Sequence, residues 1–210
     1  MRPTTPRPDS PSRPPLRRTR VLAGLLALGS VLMGCSDPGW QTKDIAGLMP
    51  PLAFELTSES GERVEAQAFR GDTTLLFLGF TQCHDVCPAT MAHLDSILDE
   101  LGEEARDDLR VLFVSVDPAR DDAEALREYT ANFGPEFVGL TGSKEELDAL
   151  TRRYRVTYGY GEKDDGGRYT VSHPSAIFAF DRHGEAQLLI RQDDAREAVV
   201  SDLRRLLAKG

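Results

Sequence analysis

Cysteine is scarce in this 210-residue chain, with three in all, at positions 35, 83 and 87. Three thiols cannot staple a small secreted scaffold, so a disulfide-rich fold is excluded and stability must come from a hydrophobic core. Aromatic residues make up only 7%, with a single tryptophan, Trp40, and there are four histidines. No apolar run reaches the roughly 20 residues that a membrane-spanning helix needs; the stretch from Val21 to Met33 is too short. Positive charge is also in short supply: 25 Lys and Arg against 34 Asp and Glu leave a net charge of −9. Such a chain repels phosphate backbones, and nucleic acid is excluded as a partner. The length suits one domain once a leader is set aside.

That leader is legible. Residues 1–34 hold six arginines and one aspartate, with Arg13, Arg17, Arg18 and Arg20 ahead of the apolar stretch. A basic segment, a short apolar core and small residues at a cut site are the parts of a secretory signal. The ending Leu32-Met33-Gly34-Cys35 has the form of a lipobox, in which the cysteine is acylated and becomes the mature N-terminus. Residues 1–34 are therefore expected to be a lipoprotein signal peptide, and 35–50 a tether of Ser, Asp, Pro and Gly. Residues 51–210 would be the domain, held by lipid on the periplasmic face of a membrane. The Arg17-Arg18 pair is a poor twin-arginine signal, because Arg20 stands where an apolar residue belongs. Without the leader the net charge falls to −14, which suits a cationic protein partner or a metal ion, and equally a plainly solvated surface.

From Pro51 onward the pattern becomes regular. Phe54, Leu56 and Val64 flank Ser58-Glu59-Ser60-Gly61, which predicts a β-hairpin. Thr74 to Phe80 is a continuous apolar run of the kind found in strands buried on both faces, and Leu109 to Val116 is a second. Between them Met91, Leu94, Leu98 and Leu101 keep helical spacing, with Pro88 placed for a first turn. Asp121 with Glu124 and Ser143 with Glu146 read as capping boxes for helices through Phe133 and Tyr154. Asp181-Arg182-His183-Gly184 is a hairpin turn between apolar strands, and a helix with an apolar stripe closes the chain from about Asp194. This order predicts an α/β domain, a mixed central sheet flanked by helices, with an N-terminal β-hairpin. A dicysteine motif between the first buried strand and its helix makes that a thioredoxin-like fold.

The motif is Cys83-His84-Asp85-Val86-Cys87. The C-terminal end of a buried strand leading into a helix is where α/β sheets place ligands. Free amide hydrogens and the helix dipole there favour a thiolate, and a four-residue step lets both sulfurs face one point. Two thiolates make a soft site that selects Cu(I) over hard ions, and a histidine would complete it. Zinc, which usually takes four Cys or His ligands in structural sites, is a weaker match. The same dithiol could instead exchange disulfides with a partner or form a structural bond. His84 is either an extra ligand, a regulator of thiolate charge or a solvent-facing residue. Met91 falls on the helical apolar stripe and reads as core, His93 faces off it, and His183 belongs to a turn. Tyr154, Tyr158 and Tyr160 read as packing, and Lys163 to Arg168 as an exposed loop.

Several ordered motifs resemble the SCO/SenC family of cytochrome oxidase assembly proteins. They are Phe77 to Pro88, Val114 to Asp121, Phe133-Gly134-Pro135, Gly139 to Gly142 and Val171-Ser172-His173. The resemblance implies a thioredoxin-fold copper chaperone in which Cys83, Cys87 and His173 hold copper, as Cu(I), Cu(II) or both. It implies delivery to the dinuclear copper centre of cytochrome c oxidase, with thiol–disulfide reduction of target cysteines as the alternative activity. The oxidase's copper-bearing subunit is then the expected partner, with a periplasmic copper carrier or thiol reductase as further ones. Asp85 and Asp117 become positions beside the ligands or for docking. The chain departs from the family in three places. His84 stands where proline is common, Ser172 where aspartate precedes the ligand, and Pro174 where a small hydroxyl residue is more usual. A cis bond before Pro174 would be exceptional, since such bonds are mostly trans.

Overall fold

Residues 39–209 are described by the computed structural model; Cys35 and the expected leader lie outside them. Among these residues no helix is long and apolar enough to cross a membrane. The chain first becomes regular at Lys43–Asp44 (β1), then forms the hairpin Glu55–Ser58 (β2) and Arg63–Glu65 (β3). The buried strand Thr73–Gly79 (β4) leads into the helix Val86–Leu101 (α1) and a short helix Glu103–Asp107 (α2). Next come Leu109–Ser115 (β5), Ala123–Thr130 (α3), Phe137–Thr141 (β6) and Lys144–Arg153 (α4). A separate two-stranded flap, Gly159–Tyr160 (β7) with Val171–Ser172 (β8), precedes the hairpin Ile177–Phe180 (β9) and Ala186–Ile190 (β10). The helix Arg196–Ala208 (α5) closes the chain.

Eight strands form one sheet in the order β1-β10-β9-β4-β5-β6-β2-β3. β4, β5 and β6 run parallel to one another, and the remaining pairs are antiparallel. Alternation along the strands sends side chains to opposite faces. Leu75, Phe77, Val111 and Phe113 join Met91, Leu94, Val199 and Leu203 of α1 and α5 on one side. Leu76, Leu78, Leu112 and Val114 join Leu147, Leu150 and Tyr154 on the other. A sheet covered on both faces explains why all seven residues of β4 are buried, as their unbroken apolar character predicts. Each such Leu or Phe contributes about 1.5–3 kcal/mol when buried, so the centre of the sheet carries much of the packing energy.

Several expectations are redrawn by the structure. Asp121 does not cap α3: Asp122 does, its side chain accepting from the Ala125 amide, while Asp121 is wholly buried elsewhere. Ser143 and Glu146 do form their capping box. Tyr154 is core, packed on Phe178 and Phe180, but Tyr160 is exposed and makes its hydroxyl bond to the Val116 carbonyl. Part of the expected tether is laid on the domain. Trp40 stacks under Arg205 and Lys209, Thr42 bonds Asp202, β1 pairs with β10, and Ile45 is buried. β6 was invisible as a strand because Gly139 interrupts its short apolar stretch. Among the described residues no peptide is cis, so the bond before Pro174 is trans.

Candidate metal centre

At the end of β4, Gly79 leaves room for the Cys87 side chain. A Cβ on it would lie 2.6 Å from the Phe113 ring and 2.7 Å from the Cys87 sulfur, so only glycine admits Cys87 here. The loop Phe80 to Asp85 then crosses the C-terminal edge of the sheet, and α1 begins with Cys87 in its first turn. Asp85 sits at the cap position, yet its side chain makes no cap bond. The Cys83 sulfur fills that role, accepting from the Cys87 amide at 3.4 Å. A helix start has amide hydrogens without intrahelical partners, and a thiolate is an anion able to accept them.

The two thiols consequently differ. Burial would push the Cys83 thiol up, but hydrogen bonds from the Cys87 amide, the His173 side chain and the Asp85 amide outweigh it, leaving the thiol at about 7. Burial pushes the Cys87 thiol far above its ordinary range, despite a backbone bond at Phe80. Cys83 is partly open and Cys87 wholly buried, and both are free thiols.

His173 arrives from the other side of the sheet's edge. β9 runs antiparallel to β4 with Ile177 opposite Phe77, so the chain enters β9 above the end of β4. His173 lies four residues before Ile177 and is therefore delivered over the cysteine loop. Its Nδ1 lies 3.0 Å from the Pro174 carbonyl, an acceptor only, so a proton on Nδ1 would leave the Nε2 lone pair for a metal ion. Nε2 stands 3.4 Å from the Cys87 sulfur, and the ring meets Phe77 and Phe80 edge-on. The ligand atoms of Cys83, Cys87 and His173 all lie within 4.8 Å of one another. Among the described residues this is the one such cluster of three or more His, Cys, Asp or Glu side chains. It opens into a cleft of about 520 Å³, lined in part by Phe80, Arg120 and Tyr169.

The remaining candidates are placed differently. His84 and Asp85 are exposed on the loop, lining the cleft without joining the cluster. His93 is exposed on α1, His183 lies in the β9–β10 turn, and Met91 is core. Asp117 is buried and committed to an ion pair with Arg120 and a 2.6 Å bond from the Tyr169 hydroxyl. Asp121, expected at a helix start, instead accepts from the Thr81 amide at 2.8 Å, the Thr81 hydroxyl and the Ser115 hydroxyl. It ties the start of the cysteine loop to the end of β5. Arg120, Tyr169 and Asp121 acquire their places through contacts 38–52 positions along the chain, for which the sequence has no local signal.

A family model described as SCO1/SenC matches residues 50–208. The chain belongs to the SCO1/SenC family. Within it, the human mitochondrial SCO1 homologue is 40% identical over 133 residues, covering 63% of this chain and 44% of that protein. The chain spans about half the length of the curated relatives it matches. Among solved SCO structures, that of apo Sco1 from Thermus thermophilus superposes with a TM-score of 0.70 at 34% identity, covering 80% of this chain and 97% of that one. Copper-bound ScoI from Bradyrhizobium japonicum gives 0.67 at 32% identity, covering 74% and 98%. The SCO1/SenC fold is thioredoxin-like, as this sheet and its helices are.

Two sulfurs and an imidazole nitrogen at this spacing are soft to borderline donors, and they leave the hard cations to oxygen sites. The open Cys83 and the cleft give an ion or a partner's ligand a way in, while Cys87 is held at the back.

Proposed function

We propose that this protein is a copper metallochaperone that delivers copper to the dinuclear copper centre of cytochrome c oxidase during assembly. The observation that carries the reading is the convergence of Cys83, Cys87 and His173 within 4.8 Å. Cys83 and Cys87 hold the ion as thiolates and His173 completes the set through Nε2, the nitrogen left free by the bond at Nδ1. Family membership and the copper-bound ScoI relative support copper as the cargo. Transfer is ligand exchange. The partner's donors enter by the cleft, displace the accessible Cys83 or His173 first, and Cys87 releases last. The protein works on the periplasmic face of a membrane, held by a lipid on Cys35, with the oxidase's copper-bearing subunit as partner and a copper carrier or thiol reductase upstream.

Copper titration of the reduced protein tests this. Wild type takes up one ion, and Cys83→Ser, Cys87→Ser and His173→Ala each weaken it. A His173→Ala protein with undiminished copper affinity and delivery would remove the reading.

A second reading is favoured by one observation: the half-buried Cys83 sulfur accepts from the Cys87 amide at the helix start, which lowers its thiol to about 7, while Cys87 is buried and pushed up. That asymmetry suits a thiol–disulfide oxidoreductase, in which the Cys83 thiolate attacks a target disulfide, forming a mixed disulfide and expelling one target thiolate. Cys87 then loses its proton and attacks the Cys83 sulfur, freeing the second target thiol and leaving Cys83–Cys87 oxidised. This exchange needs no imidazole ligand, so activity that survives His173→Ala separates the two.

A further inference from the structure

His173 lies between the β7–β8 flap and the start of β9. β7 and β8 pair with each other and with no strand of the main sheet, so no backbone ladder holds the flap to the body. Side chains do so instead: Tyr158 and Val171 pack against the core cluster of Leu147 and Tyr154, and the Tyr158 hydroxyl donates to Asp148 at 2.8 Å. The Tyr160 hydroxyl donates to the Val116 carbonyl at 2.5 Å, and the Tyr169 hydroxyl to Asp117 at 2.6 Å. Arg120 lies over the Tyr169 ring at 3.9 Å and donates through Nη1 to the Tyr169 carbonyl at 3.3 Å. Tyr169 is four residues before His173.

The same guanidinium reaches the other half of the site. Nη1 lies 3.3 Å from the Gln82 side-chain oxygen, next to Cys83, and the guanidinium stands 5.6 Å from the Phe80 ring centroid. Phe80 in turn meets the His173 ring at 5.7 Å. The contacts therefore close a loop from His173 along the chain to Tyr169, across to Arg120, on to Phe80 and back to His173. Asp117, wholly buried, fixes the guanidinium by pairing with Nε. Nη2 is buried without a hydrogen-bond partner.

We propose that Arg120, seated on Asp117, is the positioning residue that clamps the His173 strand to the cysteine loop and thereby sets the third ligand against the two thiols. This rests on the copper reading for its consequence, but not for the clamp itself. Arginine suits the task because one planar group can pair, donate and stack at once, which lysine cannot. With the clamp broken, Cys87 stays on α1 and Cys83 on a loop still tied down through Thr81 and Asp121, while the imidazole drifts.

The test uses the full chain in detergent, reduced, with Arg120→Ala, Arg120→Lys and Tyr169→Phe. In the metal-free protein, NMR should show the His173 ring protons losing the ring-current shifts imposed by Phe77 and Phe80. Amide exchange should quicken over residues 159–173 and stay unchanged in β4 and β5. With copper, Arg120→Ala should speed dissociation about tenfold, within the range for groups that orient a ligand from behind. It should add nothing to His173→Ala in a double-mutant cycle. X-ray absorption should lose the nitrogen neighbour and keep both sulfurs. Arg120→Lys should match Arg120→Ala, and Tyr169→Phe should fall between it and wild type. Unchanged His173 shifts and exchange in Arg120→Ala would overturn the clamp. So would a copper effect fully additive with that of His173→Ala. A wild type that takes up no copper would defeat the copper reading alone, since the metal-free measurements still decide the clamp.

Discussion

The two halves of the site are built in opposite ways. The cysteine half grows out of β4, whose residues are all buried and bonded to strands on both sides, and it is locked by Asp121 and capped by its own sulfur. The histidine half hangs on a two-stranded flap that reaches the body through a few side chains. For the proposed carrier that asymmetry would be useful. Ligands on the cysteine half would keep the ion, and a ligand on the lightly held strand would let it go without unfolding anything.

If the cysteine half is the frame, damage there should be the most severe. Cys87→Ser should weaken copper binding by about a thousandfold, about 4 kcal/mol, in a competition titration, because a neutral hydroxyl replaces the buried soft anion. Gly79→Ala should also be harmful, although it removes no ligand. Its methyl group overlaps the Phe113 ring and the Cys87 sulfur, and a cost of about 1–3 kcal/mol should appear as a lower thermal midpoint.

The contrast between the thiols is sharpened by pH. A depressed thiol is charged above its midpoint and neutral below it, so alkylation of Cys83 should rise with pH, level off above about 7, and fall about a hundredfold by pH 5. Cys87 should stay unreactive across the range, since burial keeps it protonated. Equal labelling of both cysteines at pH 7, read by mass spectrometry, would abolish the distinction.

His173→Ala probes the lightly held half. It should weaken copper binding by about ten- to a hundredfold, roughly 1.4–2.8 kcal/mol, while the thermal midpoint of the metal-free protein stays nearly in place. The smallest effect is expected at His84. It is exposed and outside the ligand cluster, so His84→Ala should change affinity less than about twofold, within the usual scatter of surface substitutions. A larger loss would mean that the cysteine loop refolds around the ion and recruits it.

Much of the frame was legible because its signals are short. The apolar run of β4, the helical spacing of Met91, Leu94 and Leu98, and the Ser143 and Glu146 box each depend on residues within a few turns. Asp121 was misread for the same reason. Beside Asp122 and three positions before Glu124, it has the local form of a cap, and only its burial against Thr81 and Ser115 reveals the other use. Tyr169 carried no signal and Arg120 only its place in the Val114 to Asp121 motif, because an arginine in a loop and a tyrosine after a glycine-rich turn are ordinary until they stack.

The sequence alone determined that two sulfurs four positions apart would sit at the start of a helix, where unpaired amides and the dipole favour a thiolate. It also determined that the strands beside them would be buried. Which of four histidines meets those sulfurs was decided by tertiary structure. His84 is adjacent in the chain and points to solvent, whereas His173 is 86 residues from Cys87 and reaches it. The reason is the strand order. β9 lies beside β4 and runs the other way, so whatever precedes β9 is set down over the end of β4, and spacing along a chain contains no trace of that neighbour.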